Sequence, residues 1–220
     1  MQTESDPRHR AATELPNTGA PVAIVILAAG KASRMGEGAR HKLLAEFGGV
    51  PLVRRSALTA LGSDAASVIV VTGHRRREME AALGGLPLTV VDNPDYADGM
   101  ASSLIAGFSS MCAARADGIL VMLADMPGIT IAHLNALISA FGRAGGEAVV
   151  RAVSRGKPGN PVILPRSLHE LVLRLEGDVG ARTIIATAGV PVLDVDIGDA
   201  AHFDVDTPDD LMAAGRAVQS

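Results

Sequence analysis

A loop of small residues followed by two basic side chains is the part of the sequence best suited to chemistry. Residues 22–27 are a continuous aliphatic run, typical of a strand buried on both faces of a parallel sheet. The run ends in Ala28-Ala29-Gly30, where small side chains let a ligand approach the backbone N–H groups. Arg34 and Lys42 then supply cations of the kind that bind a triphosphate. This arrangement predicts a nucleotide site at the start of an α/β domain.

The loop departs from the two commonest nucleotide-binding motifs. A P-loop needs Lys followed by Ser or Thr directly after its second glycine, but Gly36 is followed by Glu37. The dinucleotide fingerprint needs the spacing G-x-G-x-x-G, which Gly30, Gly36 and Gly38 do not supply. An ordinary strand-to-helix turn that happens to carry charges is the structural alternative.

Two acidic positions could hold a metal ion. Asp125 ends the apolar run 119–124, and a carboxylate at the end of a buried strand suits a hard cation such as Mg²⁺. Asp204 and Asp206 would share one face of an extended segment. Helix capping or a turn is the competing role for Asp125 and for Asp206, which precedes Thr207. The metal hypothesis therefore requires a fold that brings Asp125 and Asp206 together.

Two further loops combine glycine with a polar group and a cation. They are residues 156–161, which contain Asn160, and residues 177–182, which contain Asp178 and Arg182. Both could be ordinary turns. Because they interrupt the strand–helix rhythm, we expect them to recognise a second substrate.

Composition limits the class of protein. The 220 residues, of which 48% are hydrophobic and 2% aromatic, suit one domain with an aliphatic core. A net charge of −4 argues against nucleic-acid binding. No apolar run could span a membrane, and the polar residues 1–20 predict a disordered tail, so we expect a cytoplasmic protein. The single Cys112 excludes a disulfide framework, and we expect His41 to be a solvated loop residue.

The order of elements predicts an α/β fold: a three-layer, mostly parallel Rossmann-like sheet with helices on both faces. Ligands of such sheets bind beyond the carboxyl ends of the strands, where Thr72 and Gly73 also fall. We expect residues 21–220 to be a single domain, with residues 156–189 as an insertion or lid beside the sheet. The spacing predicts strands at 67–71, 88–91, 118–123 and near 148–152, and helices at 51–61, 75–83, 101–114 and 130–141.

The chain resembles the molybdenum cofactor cytidylyltransferases, within a wider group of nucleotidyltransferases with a Rossmann-like, nucleotide-diphospho-sugar transferase-like fold. The resemblance runs in order from about Val22 to Ala214. It is carried by Leu27-Ala-Ala-Gly30, Ser33-Arg-Met-Gly36, Lys42-Leu-Leu44, Asn93-Pro94, Gly99-Met100, Ser103-Leu104, Asp125-Met-Pro127, Gly159-Asn-Pro161, Gly177-Asp178, Gly180-Ala-Arg182 and Asp204-Val-Asp-Thr-Pro208.

The resemblance implies transfer of CMP from CTP to the phosphate of molybdopterin or molybdenum cofactor, with Mg²⁺ as the metal cofactor. It implies that Arg34, Lys42 and Asp125 are catalytic and that Asp125 and Asp206 hold the metal. The implied nucleotide-binding residues are Ala28, Ala29, Gly30, Arg34, Lys42, Gly99 and Ser103, with Thr72 and Gly73 as further candidates. The implied acceptor-binding residues are Asn160, Asp178 and Arg182. A molybdenum hydroxylase or its maturation factor is the candidate protein partner.

Base choice can also be argued physically. Guanylyltransferases of this group resemble Leu-Ala-Gly-Gly, whereas this chain has Ala29 in the third place. A methyl group there would narrow the space against the base and favour a pyrimidine, although one methyl is worth only ~1–3 kcal/mol.

Three alternatives stay open at this point. The acceptor could be another phosphorylated compound, such as a sugar phosphate or polyol phosphate. The chain could instead be an oxidoreductase acting on a small heterocycle, which the missing dinucleotide fingerprint disfavours. It could also be a non-catalytic maturation module, although the presence of Arg34, Lys42, Asp125 and Asp206 together argues against lost catalysis.

Overall fold

Strands alternate with helices along most of the chain. The computed structural model describes residues 19–31, 41–178, 180–207 and 210. The strands are β1 (Val22–Leu27), β2 (Glu46–Phe47), β3 (Val50–Pro51), β4 (Ser67–Thr72), β5 (Thr89–Asp92), β6 (Gly118–Leu123), β7 (Val149–Ser154), β8 (Lys157–Pro165) and β9 (Val192–Asp196). The α-helices are α1 (Leu52–Leu61), α2 (Arg76–Leu83), α3 (Met100–Phe108), α4 (Ile131–Arg143), α5 (His169–Val172) and α6 (Ala181–Thr187).

One central sheet organises the described part of the chain. Its strand order is β5-β4-β1-β6-β8-β7-β9, and β2 pairs with β3 in a separate ribbon. The β5–β4, β4–β1, β1–β6 and β7–β9 pairs are parallel, whereas β8 runs antiparallel to both β6 and β7. The predicted fold class, a mostly parallel Rossmann-like sheet, is confirmed.

The apolar run of β1 is buried on both faces. Val22, Ile24 and Ile26 pack into the core formed with α1, α2 and α4, while Ala23 and Val25 pack into the core formed with α3, α5 and α6. Alternation along the strand sends successive side chains to opposite faces, so a strand between two helical layers must be apolar throughout. The two cores give the three layers that the element order predicts.

The predicted insertion at residues 156–189 is wrong for its first part. Residues 157–165 form β8, which lies inside the sheet between β6 and β7. Arg155 and Gly156 both have positive φ, 50° and 75°, and they reverse the chain so that Ser154 pairs with Lys157. A tight turn of this kind makes an antiparallel hairpin, whereas the glycine and proline residues of 156–161 had indicated a loop. After β8, α5 and α6 cover one face of the sheet.

Other differences concern element ends. Helix α3 ends at Phe108 rather than at residue 114, and Cys112 lies half-buried in the following turn. Strand β9, which we did not predict, adds the last parallel strand at the sheet edge. The predicted tail, residues 1–20, falls almost wholly outside the described residues. Among the helices that are described, none combines the length and the apolarity that crossing a bilayer requires.

Candidate active site

A cavity of about 310 Å³ opens at the carboxyl ends of β1 and β6. Ala28, Ala29 and Gly30, which we call the glycine-ended loop, line this cavity, as the sequence predicts. The Ala28 N–H donates to the Val71 carbonyl at 2.9 Å, and the Ala29 carbonyl accepts from the His74 N–H at 3.1 Å. These bonds hold the loop against the end of β4, so the cavity has a backbone wall of fixed shape.

Lys42 brings a cation into this cavity and is itself held by two carboxylates. Its Nζ donates to Asp125 Oδ2 at 2.7 Å and to Asp206 Oδ1 at 2.8 Å. The side chains of Lys42, Asp125 and Asp206 are 12%, 18% and 30% exposed, so the ion pairs are largely shielded from water. The three residues singled out from separate motifs therefore meet at one point.

A backbone contact joins the two acidic segments. Asp125 follows the end of β6, and its carbonyl accepts a hydrogen bond from the Val205 N–H at 2.9 Å. Val205 is fully buried, which fixes the extended segment on which Asp204 and Asp206 lie. The local side-chain hydrogen bonds that would compete for Asp206 are made instead by Thr207 and Asp210.

Thr207 and Asp210 form hydrogen bonds with each other beside Asp206. The Asp210 carboxylate accepts from the Thr207 N–H at 2.8 Å and from the Thr207 hydroxyl at 2.7 Å. The Thr207 hydroxyl oxygen in turn accepts from the Asp210 N–H at 3.2 Å. These hydrogen bonds lower the pKa of Asp210. The Asp206 carboxylate is left to face Lys42.

The electrostatics of the site are those of clustered carboxylates around one ammonium group. Burial alone would lower the pKa of Lys42, but the charge of Asp125 and hydrogen bonds to Asp125 and Asp206 outweigh it and raise that pKa. Burial, followed by the charges of Asp206 and Asp125, raises the pKa of Asp204. The site therefore holds more negative charge than Lys42 alone neutralises.

The residues present fit a divalent cation. Asp125 Oδ1 is buried without a hydrogen-bond partner in the described structure, which is costly unless a ligand satisfies it. Mg²⁺ uses one or two protein carboxylates together with water and substrate phosphates. Among the described residues there is no group of three or more His, Cys, Asp or Glu side chains arranged for a metal. Asp125 and Asp206 are thus suited to an ion that takes its other ligands from the nucleotide.

The opposite wall of the cavity is built by the loop after β5. The buried Asn93 donates through Nδ2 to the hydroxyl oxygens of Ser102 at 2.9 Å and Ser103 at 3.0 Å. Gly99 has φ 107°, and a Cβ there would lie 2.6 Å from the Gly177 carbonyl oxygen. Only glycine fits this close approach. Gly99 and Ser103 line the cavity, as the resemblance implies.

Thr72 and Gly73 lie behind this wall rather than along it. The fully buried Thr72 donates its hydroxyl to the Val91 carbonyl at 3.4 Å, within the sheet. A Cβ on Gly73 would lie 2.7 Å from Cβ of Tyr96, which lines the cavity. Both candidates therefore support the wall in this structure.

A second cavity of about 400 Å³ adjoins the first. Asn160 and Arg182 line it together, although they come from different loops. Met100 and Leu123 line both cavities and form their shared wall. Asn160 lies near the amino end of β8, and this end reaches the second cavity because β8 runs antiparallel to β6.

Some site residues do not lie where the sequence suggested. Asp178, an acceptor-side candidate, lines the first cavity, where its Oδ1 accepts from the Met100 N–H at 3.4 Å. Arg151 and His202 also line the second cavity, and neither is predicted from the sequence because neither belongs to a motif. The expectation for His41 is wrong, because this residue is buried, with 4% of its surface exposed, and lines the first cavity. Arg34 lies outside the described residues.

Comparison with known proteins agrees with this geometry. The family model described as the MobA-like NTP transferase domain matches residues 24–192. The chain is 31% identical over 207 residues to purine catabolism protein PucB of Bacillus subtilis, covering 88% of this chain and 96% of PucB. It is 30% identical over 194 residues to nicotine blue oxidoreductase of Paenarthrobacter nicotinovorans, covering 85% of this chain and 93% of that protein.

A solved structure shows the same architecture. A nucleotidyl transferase from Methanothermobacter thermautotroptrophicus superposes with a TM-score of 0.77 and 25% sequence identity. The match covers 90% of this chain and 98% of that one. The likeness thus extends over most of the chain.

Proposed function

Because the chain belongs to the MobA-like NTP transferase domain family and is a nucleotidyltransferase, we propose that it transfers CMP from CTP to the phosphate of molybdopterin or molybdenum cofactor. One observation carries the proposal. The Lys42 ammonium group stands between Asp125 and Asp206 in a cavity walled by the glycine-ended loop, and a second cavity opens beside it. Nucleotide and acceptor then occupy adjacent cavities.

The proposed reaction is a direct displacement. A terminal phosphate oxygen of the acceptor attacks the α-phosphorus of CTP, the bond from that phosphorus to the bridging oxygen breaks, and pyrophosphate leaves with the electron pair. A phosphate monoester is largely ionised near pH 7, so the attacking oxygen needs no general base. The work of the protein is alignment and charge neutralisation. Lys42 would offset charge on the α-phosphate, and Arg34 would offset charge on the departing pyrophosphate.

Asp125 and Asp206 would hold Mg²⁺. When bound, the ion would neutralise charge on the triphosphate and help to orient it. The buried Asp125 Oδ1, which has no hydrogen-bond partner in the described structure, supports this assignment. Lys42 would then turn from the carboxylates toward the phosphates, a movement within the same cavity.

Base choice and acceptor choice are assigned to different walls. Ala29 lines the nucleotide cavity, and its methyl group would favour cytosine over guanine. Asn160 and Arg182 line the second cavity, where an amide and a guanidinium group suit a pterin edge and a phosphate. Asp178 is a weaker acceptor candidate, because it lines the nucleotide side.

The likeness to nicotine blue oxidoreductase favours a second candidate, an oxidoreductase of a small heterocycle. The missing dinucleotide fingerprint counts against this activity. Another phosphorylated acceptor in place of molybdopterin would keep the same chemistry.

The test is to incubate the full chain with each labelled NTP, Mg²⁺ and molybdopterin, and to measure pyrophosphate and the dinucleotide product. We expect cytosine dinucleotide to form with CTP in preference to GTP. Pyrophosphate release with GTP alone would contradict the base assignment. Release with a sugar phosphate but not with molybdopterin would contradict the acceptor assignment. A reduced heterocycle with no pyrophosphate would favour the oxidoreductase.

A further inference from the structure

His41 makes two hydrogen bonds that join separate parts of the nucleotide cavity. Its Nε2 lies 3.0 Å from the Gly30 carbonyl oxygen, and its Nδ1 accepts from the Leu43 N–H at 3.3 Å. The first bond reaches eleven residues back along the chain, to the end of the glycine-ended loop. The second bond caps the short turn Lys42–Leu44. One side chain therefore touches both the backbone wall and the turn that carries Lys42.

These two bonds determine the proton on the imidazole ring. A carbonyl oxygen can only accept, so Nε2 must carry the hydrogen, and a backbone N–H can only donate, so Nδ1 must keep its lone pair. This is the neutral tautomer protonated at Nε2. Burial lowers the pKa of His41, in agreement with a ring that stays neutral. An imidazolium would lose the bond from Leu43.

The turn that carries Lys42 is fixed from both sides. Leu43 and Leu44 are buried in the core that contains α1, and this burial anchors the turn on its core side. The Leu44 N–H donates to the His41 carbonyl at 2.8 Å, which closes the turn itself. Among the described hydrogen bonds, only the one between the His41 ring and the Gly30 carbonyl joins this turn to the glycine-ended loop. His41 thus helps to set the separation between Lys42 and the backbone wall.

We propose that His41 is a positioning residue: its neutral ring sets the Lys42 ammonium group at the correct distance from the glycine-ended loop. This inference rests on the nucleotidyltransferase activity and adds a determinant of its rate. Catalysis by positioned charge is sensitive to placement, and an error of about 1 Å can cost about a hundredfold in rate. His41 acts through Lys42, because its own ring nitrogens are both occupied.

The first test needs no substrate. In protein labelled with ¹⁵N at histidine, the His41 signals should show hydrogen on Nε2 and a bare Nδ1 at pH 7. In protein labelled at lysine, which has only Lys31, Lys42 and Lys157, the Lys42 ammonium signal should shift in the His41→Asn variant. The Lys42→Met variant assigns that signal. Hydrogen on Nδ1, or an unmoved Lys42 signal, would overturn the proposal.

The second test uses two partial replacements. A glutamine amide can reach the Gly30 carbonyl, whereas the shorter asparagine can accept from the Leu43 N–H but cannot reach Gly30. We expect His41→Asn to lower kcat about ten- to hundredfold with little change in the KM for the nucleotide. His41→Gln should restore most of the loss. Equal loss in both variants would contradict the positioning role.

A matched control separates positioning from stability. His133 also makes a local hydrogen bond at a turn, where its Nδ1 accepts from the Thr130 N–H at 3.4 Å at the start of α4, away from the cavity. The His133→Ala variant should lower Tm without lowering kcat. A kcat that followed Tm across all of these variants would mean that His41 only fills space. Failure of CTP or molybdopterin as substrates would overturn the proposed function, but the two labelling results would still decide the role of His41.

Discussion

The Lys42→Met substitution tests the site most directly, because it keeps the aliphatic stem and removes only the ammonium group. A lysine in solvent would contribute little to stability. Lys42 instead forms two ion pairs, at 2.7 Å and 2.8 Å, with carboxylates that are 18% and 30% exposed. Its loss removes the ammonium group that lies between the carboxylates of Asp125 and Asp206. The variant should therefore lose stability as well as activity.

The two losses differ in size. Removing one partner of a fully buried pair costs about 3–5 kcal/mol, and of an exposed pair about 0.2–1 kcal/mol. The intermediate exposure here places the loss at roughly 1–3 kcal/mol, or about 2–12 °C in Tm for a domain of this size. Losing a charge-stabilising donor costs about 10²–10³ in kcat, roughly 2.7–4 kcal/mol. The rate should thus fall further than the stability alone explains.

The assays are thermal unfolding with and without Mg²⁺, and pyrophosphate release at saturating CTP. Mg²⁺ should raise the Tm of Lys42→Met more than that of the unmodified protein, since the carboxylates have no competing ammonium group. The control is Arg77→Met, which removes a cation from an exposed position on α2 and should change neither quantity. A Tm and a kcat both close to those of the unmodified protein would refute the reasoning.

Three further outcomes are expected. Ala29→Gly should shift the ratio of kcat/KM for CTP and GTP toward GTP, by up to the roughly 1–3 kcal/mol that one methyl contributes; an unchanged ratio would place base choice elsewhere. Asn160→Ala and Arg182→Ala should each weaken molybdopterin binding, measured by titration, with CTP affinity little changed; unaltered acceptor affinity in both would remove the acceptor assignment. Because burial lowers the pKa of His41, its contribution to the free energy of unfolding is complete above pH 6.5 and is lost as the pH falls below that value. The free energy of unfolding, measured with urea, should decrease less below pH 6.5 in His41→Gln than in the unmodified protein. An equal decrease in both proteins would contradict the burial of a neutral ring.

The sequence predicts those features of the fold that follow from the residue types of a single segment. The run 22–27 is apolar at every position because β1 is buried on both faces, and this feature is visible in sequence. The hairpin at Arg155 and Gly156 was missed because non-glycine residues seldom take positive φ, so nothing in the sequence marks that turn as tight. Strand β8 was then assigned to a loop.

In the site, too, the sequence indicates individual residues but not the contacts between distant segments. Asp125 and Asp206 were each suspected from their own segments, but their meeting depends on the Val205 contact, which links positions far apart in the chain. His41 was placed in solvent because an isolated histidine beside a lysine carries no signal of burial. Its burial comes from Gly30 and the core around Leu43, and only the folded chain brings these together.

The contact between Val205 and Asp125 has a consequence for synthesis of the chain. Chains emerge from the ribosome from the N-terminus onward, and their earlier parts can begin to fold first. The last described strand of the sheet ends at residue 196. The second ion pair of Lys42 can form only after Asp206, 164 residues later in the chain, has been synthesised. A nascent chain that stops before residue 205 would hold every described strand of the sheet but only one of the two carboxylates that bind Lys42. Nucleotide binding that needs both carboxylates would thus begin only after residue 206 has been added, which would keep shorter chains from sequestering substrate.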